Sequence, residues 1–242
     1  MELAPDSPDR DCELNFKEEF YDVRRRLQAL AIRDAVIFFG SARVPEPAAQ
    51  PMPTGGVHPD LLTWYTQAQD LAYSLGRWIR PRNEQYGKNL VLGSGGGPGI
   101  MEACNRGAQQ AGLPSLGLNI IIPTEQKLNP YVTEGLSFDF QTFMFRKYWF
   151  RQLMRAVVIF PGGLGTLDEL VELLNLISTQ GFHLWCPVVL LGRDFWKRAL
   201  GLPFLLEQGT VSPRDLARLY VCDTPQEATE ALVPGLEEFF QA

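Results

Sequence analysis

The residues with the greatest chemical potential lie between positions 155 and 176, where the chain reads RAVVIFPGGLGTLDELVELLNL. A run of buried-strand type over 156–160 leads into Pro161, Gly162, Gly163, Leu164 and Gly165. The periodicity of Leu167, Leu170, Val171, Leu174 and Ile177 then predicts a helix opening at Thr166. Gly162, Gly163 and Gly165 leave no Cβ in front of that helix, so successive backbone N–H groups can converge on one anion, and a phosphate is the natural guest. Glu169 follows Thr166 by one turn on the same helix face and sets a carboxylate beside whatever the turn holds. Thr-x-x-Glu ahead of an apolar run is also the pattern of a capping box, in which Thr166 and Glu169 satisfy each other's backbone N–H groups. On spacing alone both readings stand, a reacting acid and a helix cap.

The nonapeptide Pro161-Gly162-Gly163-Leu164-Gly165-Thr166-Leu167-Asp168-Glu169 resembles the P-G-G-x-G-T-x-x-E signature of the Lonely Guy family of nucleoside 5′-monophosphate phosphoribohydrolases, proteins often labelled lysine decarboxylases. The resemblance runs from Val36 to Leu191 and is to the longer bacterial branch. It implies that Gly162, Gly163, Gly165 and Thr166 hold a substrate phosphate and that Glu169 is catalytic. It also implies that Arg146, of the pair Arg146-Lys147, is a catalytic-site residue. A guanidinium stays charged and suits an anionic or planar partner, so Arg146 could keep Glu169 ionised or clamp the ribose phosphate. Further nucleotide contacts implied by resemblance are Ser41 and Arg43 in a Gly-Ser turn, Gly95, Gly96, Gly97 and Met101 in a second glycine-rich turn, and Lys147. Thr179 and Gln180 resemble a polar pair placed near the site. Family members often carry Met-His ahead of Arg-Lys, whereas this chain has Met144-Phe145, a departure that bears on recognition of the base. A homodimer, with parts of each site near the partner, is likewise implied.

The chemistry that follows is cleavage of an N-glycosidic bond. Such a reaction passes through an oxocarbenium-like sugar that a nearby carboxylate stabilises, while an acid or base handles water and the departing base. It needs no metal and no organic cofactor. The expected activity is hydrolysis of a nucleoside 5′-monophosphate, of AMP or cytokinin riboside monophosphate type, to free base and ribose 5-phosphate. The alternative is a nucleotide-binding sensor of the same fold without turnover. A decarboxylase would demand a lysine that binds pyridoxal phosphate, and only Lys147 lies in a motif, beside an arginine that suits a phosphate instead.

The elements that must position these groups are legible in outline. A stripe of Phe16, Phe20, Val23, Leu27 and Leu30 predicts a packing helix, with Lys17, Glu18, Glu19 and Arg24 to Arg26 on its polar side. Strands are expected over 35–39, 90–92, 116–122, 136–140, 156–160 and 187–191, with an edge strand over 220–222. Helices are expected over 60–80, from Ile100, from Phe143, over 194–208 with a break at 201–203, after Ser212-Pro213, and over 224–241. Strands alternating with helices give an α/β fold, a Rossmann-like doubly wound, mainly parallel sheet with helices on both faces. Residues 1–34 form an N-terminal extension and packing helix, and 35–242 one nucleotide-binding domain. The proline-rich stretch 44–59 cannot continue a helix or a central strand and reads as an exposed loop, either a lid or a disordered insertion.

Composition sets the outer bounds. A chain of 242 residues with 45% hydrophobic content is long enough for a substantial core. A net charge of −6 argues against a nucleic acid polymer as partner, which leans on a broad basic face. No signal peptide or membrane-spanning run is visible, and a cytoplasmic location is expected. Four cysteines, Cys12, Cys104, Cys186 and Cys222, are widely spaced, and the two histidines, His58 and His183, lie far apart, leaving little for a zinc site or a His-activated nucleophile.

Overall fold

The computed structural model describes residues 17–47, 59–121, 127–180 and 186–242. Most of the proline-rich stretch, together with Cys12, His58 and His183, lies outside the described residues.

Seven strands form one sheet: β1 (Asp34–Phe39), β2 (Leu90–Ser94), β3 (Ser115–Ile120), β4 (Ser137–Phe140), β5 (Met154–Ile159), β6 (Val188–Leu191) and β7 (Leu219–Cys222). Their spatial order is β4-β3-β2-β1-β5-β6-β7, and every neighbouring pair is parallel. Parallel neighbours need long crossovers, which helices supply except between β3 and β4, where the described residues hold none, and a sheet covered on both faces calls for nearly continuous apolar strands. The runs AVIFF, LVL and AVVI meet that demand. Within β1 the pleat sends Ala35, Ile37 and Phe39 to one core and Val36 and Phe38 to the other.

The first core is closed by α1 (Val23–Ala29), α4 (Phe143–Leu153), α5 (Leu164–Gln180) and α6 (Arg193–Leu200), through Leu27, Trp149, Leu170 and Trp196 among others. The second is closed by α2 (Pro59–Tyr86), α3 (Ile100–Ala111) and α8 (Pro225–Gln241), through Leu71, Leu75, Ala108 and Leu232. The short α7 (Leu202–Glu207) precedes β7. The α/β doubly wound class expected from the sequence is the one found, with the sheet wholly parallel.

Four local differences have physical causes. Helix α2 passes through Pro81 to Tyr86 instead of ending at Arg80; the Arg82 guanidinium donates to the Trp78 carbonyl at 3.1 Å and stacks on the Trp78 ring at 3.8 Å, covering the turn that proline disturbs. The helix expected after Ser212 does not form. Ser212 and Asp215 exchange hydrogen bonds, but only turns follow, because the chain enters β7 at Leu219. The expected break at 201–203 shrinks to Gly201, and Leu202 and Pro203 open α7. The N-terminal stripe buries Val23 and Leu27, but it begins in a π-helical turn, Lys17–Asp22, in which Glu19 lies in the interior, and Leu30, at the end of α1, is exposed.

Candidate active site

Because β1 lies between β2 and β5, the chain leaves the sheet centre in one direction for β2 to β4 and returns on the other side for β5 to β7. Doubly wound sheets bind ligands at the carboxyl ends of strands flanking such a switch point. The two glycine turns are therefore not direct neighbours; the exit of β1 stands between them and is stitched to both. Ser41 N–H donates to the Pro161 carbonyl (3.2 Å), and the Ser41 carbonyl accepts from Ile100 N–H (3.2 Å). The second contact depends on Gly99, which has φ +71° and where a Cβ would stand 2.4 Å from the Ser41 oxygen.

Helix α5 opens at Leu164, two residues earlier than the periodicity predicts. The Gly163 carbonyl accepts from both Thr166 N–H and Leu167 N–H at 3.0 Å, so Thr166 lies inside the first turn and is not an N-cap. That placement removes the capping-box reading of Thr166 and Glu169. The Thr166 side chain is buried against Gly162, where a Cβ would come within 2.1 Å of its hydroxyl. Among the described residues no hydrogen bond takes the N–H of Leu164 or Gly165, both exposed at the helix start. These are the donors a helix N-terminus offers an anion.

A cavity of about 690 Å³ opens beside this turn. Ser41, Arg43, Gly95 and Met101 line one side, Gly163, Gly165 and Thr166 another, and Arg146 and Glu169 the interior, with Phe39 and Phe150 in edge contact at 4.8 Å between ring centroids. Four of the residues expected to contact the phosphate or the nucleotide do not line it. Gly162 seats Thr166; Gly96 and Gly97 lie behind the wall; and Lys147 is engaged elsewhere, its ammonium 2.7 Å from both Asp168 and Glu172, bracing α4 against α5. Thr179 returns its hydroxyl to the Asn175 carbonyl within its own helix (2.7 Å).

Glu169, buried, and Arg146, half-buried, are the paired charges of the cavity. The Glu169 side chain is 8% exposed and that of Arg146 15%, and the guanidinium reaches the carboxylate through one contact of 3.4 Å. Burial pushes the Glu169 carboxyl above the usual carboxylate range, although the Arg146 and Lys147 cations pull it down. Burial likewise lowers the affinity of Arg146 for its proton, with Glu169 opposing. The guanidinium sits 5.2 Å from the Phe143 ring centroid and 5.7 Å from that of Phe150, and its Nε is buried without a hydrogen-bond partner. A carboxyl with raised proton affinity suits proton transfer, and a buried unpartnered donor suits a polar guest.

A second tier of residues shapes the glycine wall and was not singled out in the sequence. Asn129 donates from Nδ2 to the carbonyls of Gly96 (2.9 Å) and Gly97 (3.0 Å) and to Asn105 Oδ1 (3.0 Å). Asn105 in turn accepts from Ser94 (2.8 Å) and donates to Ser115 (3.0 Å), all fully or nearly fully buried. The available signal was Asn129-Pro130, a turn dipeptide, which gives no hint of what the amide holds. Asn129→Ala strands buried acceptors and is expected to lower the melting temperature by about 5 to 10 °C. Asn129→Asp is expected to do at least as much, since a carboxylate would face three acceptors. Thermal unfolding of both variants with and without AMP checks this: a nucleotide-induced stabilisation as large as in wild type would show that the wall does not depend on Asn129.

The remaining candidates for chemistry are quiet. Cys104, Cys186 and Cys222 are buried free thiols, with Cys186 pushed up to about 12 by burial. No group of three or more metal-ligating side chains occurs, and no helix is long and apolar enough to cross a membrane, among the described residues.

Fold and site together define a Rossmann-like α/β protein with a cleft at its switch point. The chain belongs to the Lonely Guy family, the family model described as "Possible lysine decarboxylase" matching residues 101–232. It is similar to the cytokinin riboside 5′-monophosphate phosphoribohydrolase of Mycobacterium marinum (strain ATCC BAA-535 / M), with 31% identity over 185 residues covering 74% of this chain and 88% of that protein. Among solved structures it resembles the structural-genomics protein TM1055 (TM-score 0.51, 21% identity, 83% of this chain and 99% of that one). It also resembles the Moco carrier protein of Chlamydomonas reinhardtii (TM-score 0.52, 16% identity, 85% and 99%). At these identities the two structures speak for the fold alone.

Proposed function

We propose that the protein hydrolyses the N-glycosidic bond of a nucleoside 5′-monophosphate, of AMP or cytokinin riboside monophosphate type. The bond from C1′ to the base nitrogen breaks, water supplies the new oxygen at C1′, and the base leaves with a proton, giving free base and ribose 5-phosphate. The observation that carries this reading is the pair of buried Glu169 and half-buried Arg146, set in a cavity beside a helix start where, among the described residues, the N–H groups of Leu164 and Gly165 have no hydrogen-bond partner. The N–H groups at the start of α5, next to Gly162, Gly163, Gly165 and Thr166, hold the 5′-phosphate. Binding that remote group fixes the sugar over Glu169. Glu169 faces the developing positive charge at C1′ and takes a proton from water, and Arg146 keeps it oriented. Ser41, Arg43, Gly95 and Met101 contact the nucleoside, while Gly96, Gly97 and Lys147 act indirectly, through the wall and through the α4 to α5 brace.

The same reading takes the protein to be a homodimer working in the cytoplasm. Support for the dimer comes from exposed apolar side chains on the two helices that carry the pair: Phe143 and Met144 on α4, Leu164 and Val171 on α5.

The test is a panel of nucleoside 5′-monophosphates assayed for free base and ribose 5-phosphate. Release of both from at least one nucleotide is the expected result, and the panel then names the base. A nucleotide that raises the melting temperature but is never cleaved would make the protein a binder and overturn the hydrolase reading.

A further inference from the structure

The helix that carries Arg146 is gripped by the segment ahead of the sheet. In the π-helical turn Lys17–Asp22, Glu19 points inward and is 4% exposed. Its Oε1 accepts from Gln141 N–H (2.9 Å) and its Oε2 from Thr142 N–H (3.2 Å). These donors stand at the start of α4, where backbone N–H groups have no partners within the helix and where the helix dipole favours an anion. The Glu19 carbonyl accepts from Trp149 Nε1 (2.7 Å), and the Phe20 ring packs on Tyr148 and Trp149 at 5.3 and 5.8 Å. Arg146 lies between the two grips, and its own N–H donates to the carbonyl of Thr142, the residue Glu19 holds (3.3 Å). The contact from Arg146 to Glu169 is single and already 3.4 Å long, so a shift of about an ångström in the start of α4 takes it out of ion-pair range.

We propose that Glu19 is a positioning residue for the candidate acid: by capping α4 with a buried carboxylate it sets the reach of Arg146 to Glu169. The charged groups facing Glu169 are Arg146 and Lys147 from α4 and Asp168 and Glu172 from α5. Among the described residues Arg146 is the one cation paired with it directly, while Lys147 is held by the two α5 carboxylates. Loosening the start of α4 therefore weakens chiefly the guanidinium's hold on Glu169. A cap that merely stabilised a helix would lower the melting temperature and leave Glu169 as it was.

The experiment uses the full chain with Glu19→Ala and Glu19→Gln. Titration of the Glu169 side-chain carboxyl is followed by 13C NMR, its signal assigned by its loss in Glu169→Gln. In folded Glu19→Ala the midpoint is expected to rise by about one pH unit, as burial prevails over the retreating cation. Glu19→Gln keeps one acceptor oxygen and falls between Glu19→Ala and wild type. The kinetic half rests on the hydrolase reading: kcat on the nucleotide that wild type cleaves falls about tenfold, with KM changed less than about twofold because the turn at α5 is untouched. If Glu169 titrates as in wild type and the folded fraction turns over normally in both variants, the positioning role is overturned. Should Glu19→Ala fail to fold, Glu19→Gln decides alone. If wild type cleaves no nucleotide, the hydrolase reading fails, and the Glu169 titration still judges the role of Glu19.

Discussion

Glu169→Gln is expected to lower free-base release by about a thousandfold while the protein stays folded and still responds to nucleotide. The substitution keeps the shape of a side chain that is 8% exposed and keeps an oxygen for Arg146, but removes the charge and the proton acceptor that the proposed reaction places at C1′. Comparing kcat with the AMP-induced rise in melting temperature separates chemistry from binding, and a variant with wild-type turnover would exclude Glu169 from the reaction. The same variant carries a stability signature. Burial raises the Glu169 carboxyl above its ordinary value of 4.5, so in the window from 4.5 up to that raised value the folded chain holds a proton the unfolded chain has lost. This contribution to wild-type stability is present below 4.5 and is lost as pH rises through the window. Glutamine does not titrate, so the stability of Glu169→Gln relative to wild type should climb with pH across the window and level off above it.

Arg146→Met should cost about ten- to a hundredfold in kcat on the acid limb of the pH–rate profile, with much of the loss recovered at higher pH. Methionine is apolar enough to lie between Phe143 and Phe150, so the helix keeps its packing. What disappears is the nearest cation to a buried carboxylate. Glu169 then titrates higher by about one to two pH units, and the acid limb of the pH–rate profile moves up with it. Lys147 cannot substitute, because two α5 carboxylates hold its ammonium. An acid limb left where wild type has it would show that Arg146 acts on the substrate and not on Glu169.

Much of the architecture was readable because the physics that fixes it is local. The runs AVIFF, AVVI and VVLL could only be strands buried on both faces, and Thr224 before Pro225 marks a helix start that its hydroxyl does cap, accepting from Glu227 N–H. Sequence periodicity failed where a local choice is settled by distant atoms. It stopped α2 before Pro81, because Arg82 beyond the proline is held by contacts with Trp78 and with Glu237 of α8, which no local pattern announces. It opened α5 at Thr166, since nothing local says that the Gly163 carbonyl will take the first bonds. It placed Glu19 on a solvent face, because a π-helical turn leaves the 3.6-residue period without any marker residue. The glycine turns and Glu169 could be found from their own motif, but Asn129, Ser94 and Asn105 act through contacts between segments that only the folded sheet brings together.

The central place of β1 has a consequence for how the protein becomes competent. Ser41 at its end bonds to the turns after both β2 and β5, and its partner strand Met154–Ile159 is joined only after four strands and three crossover helices have been laid down. High contact order of this kind places the closing of β1 against β5 late in folding. The cleft is lined by residues that follow β1, β2 and β5, so a species in which β1 and β5 are unpaired has no site to work with. On refolding from denaturant, the ability to process a nucleotide should return with the slowest structural phase, and never ahead of it.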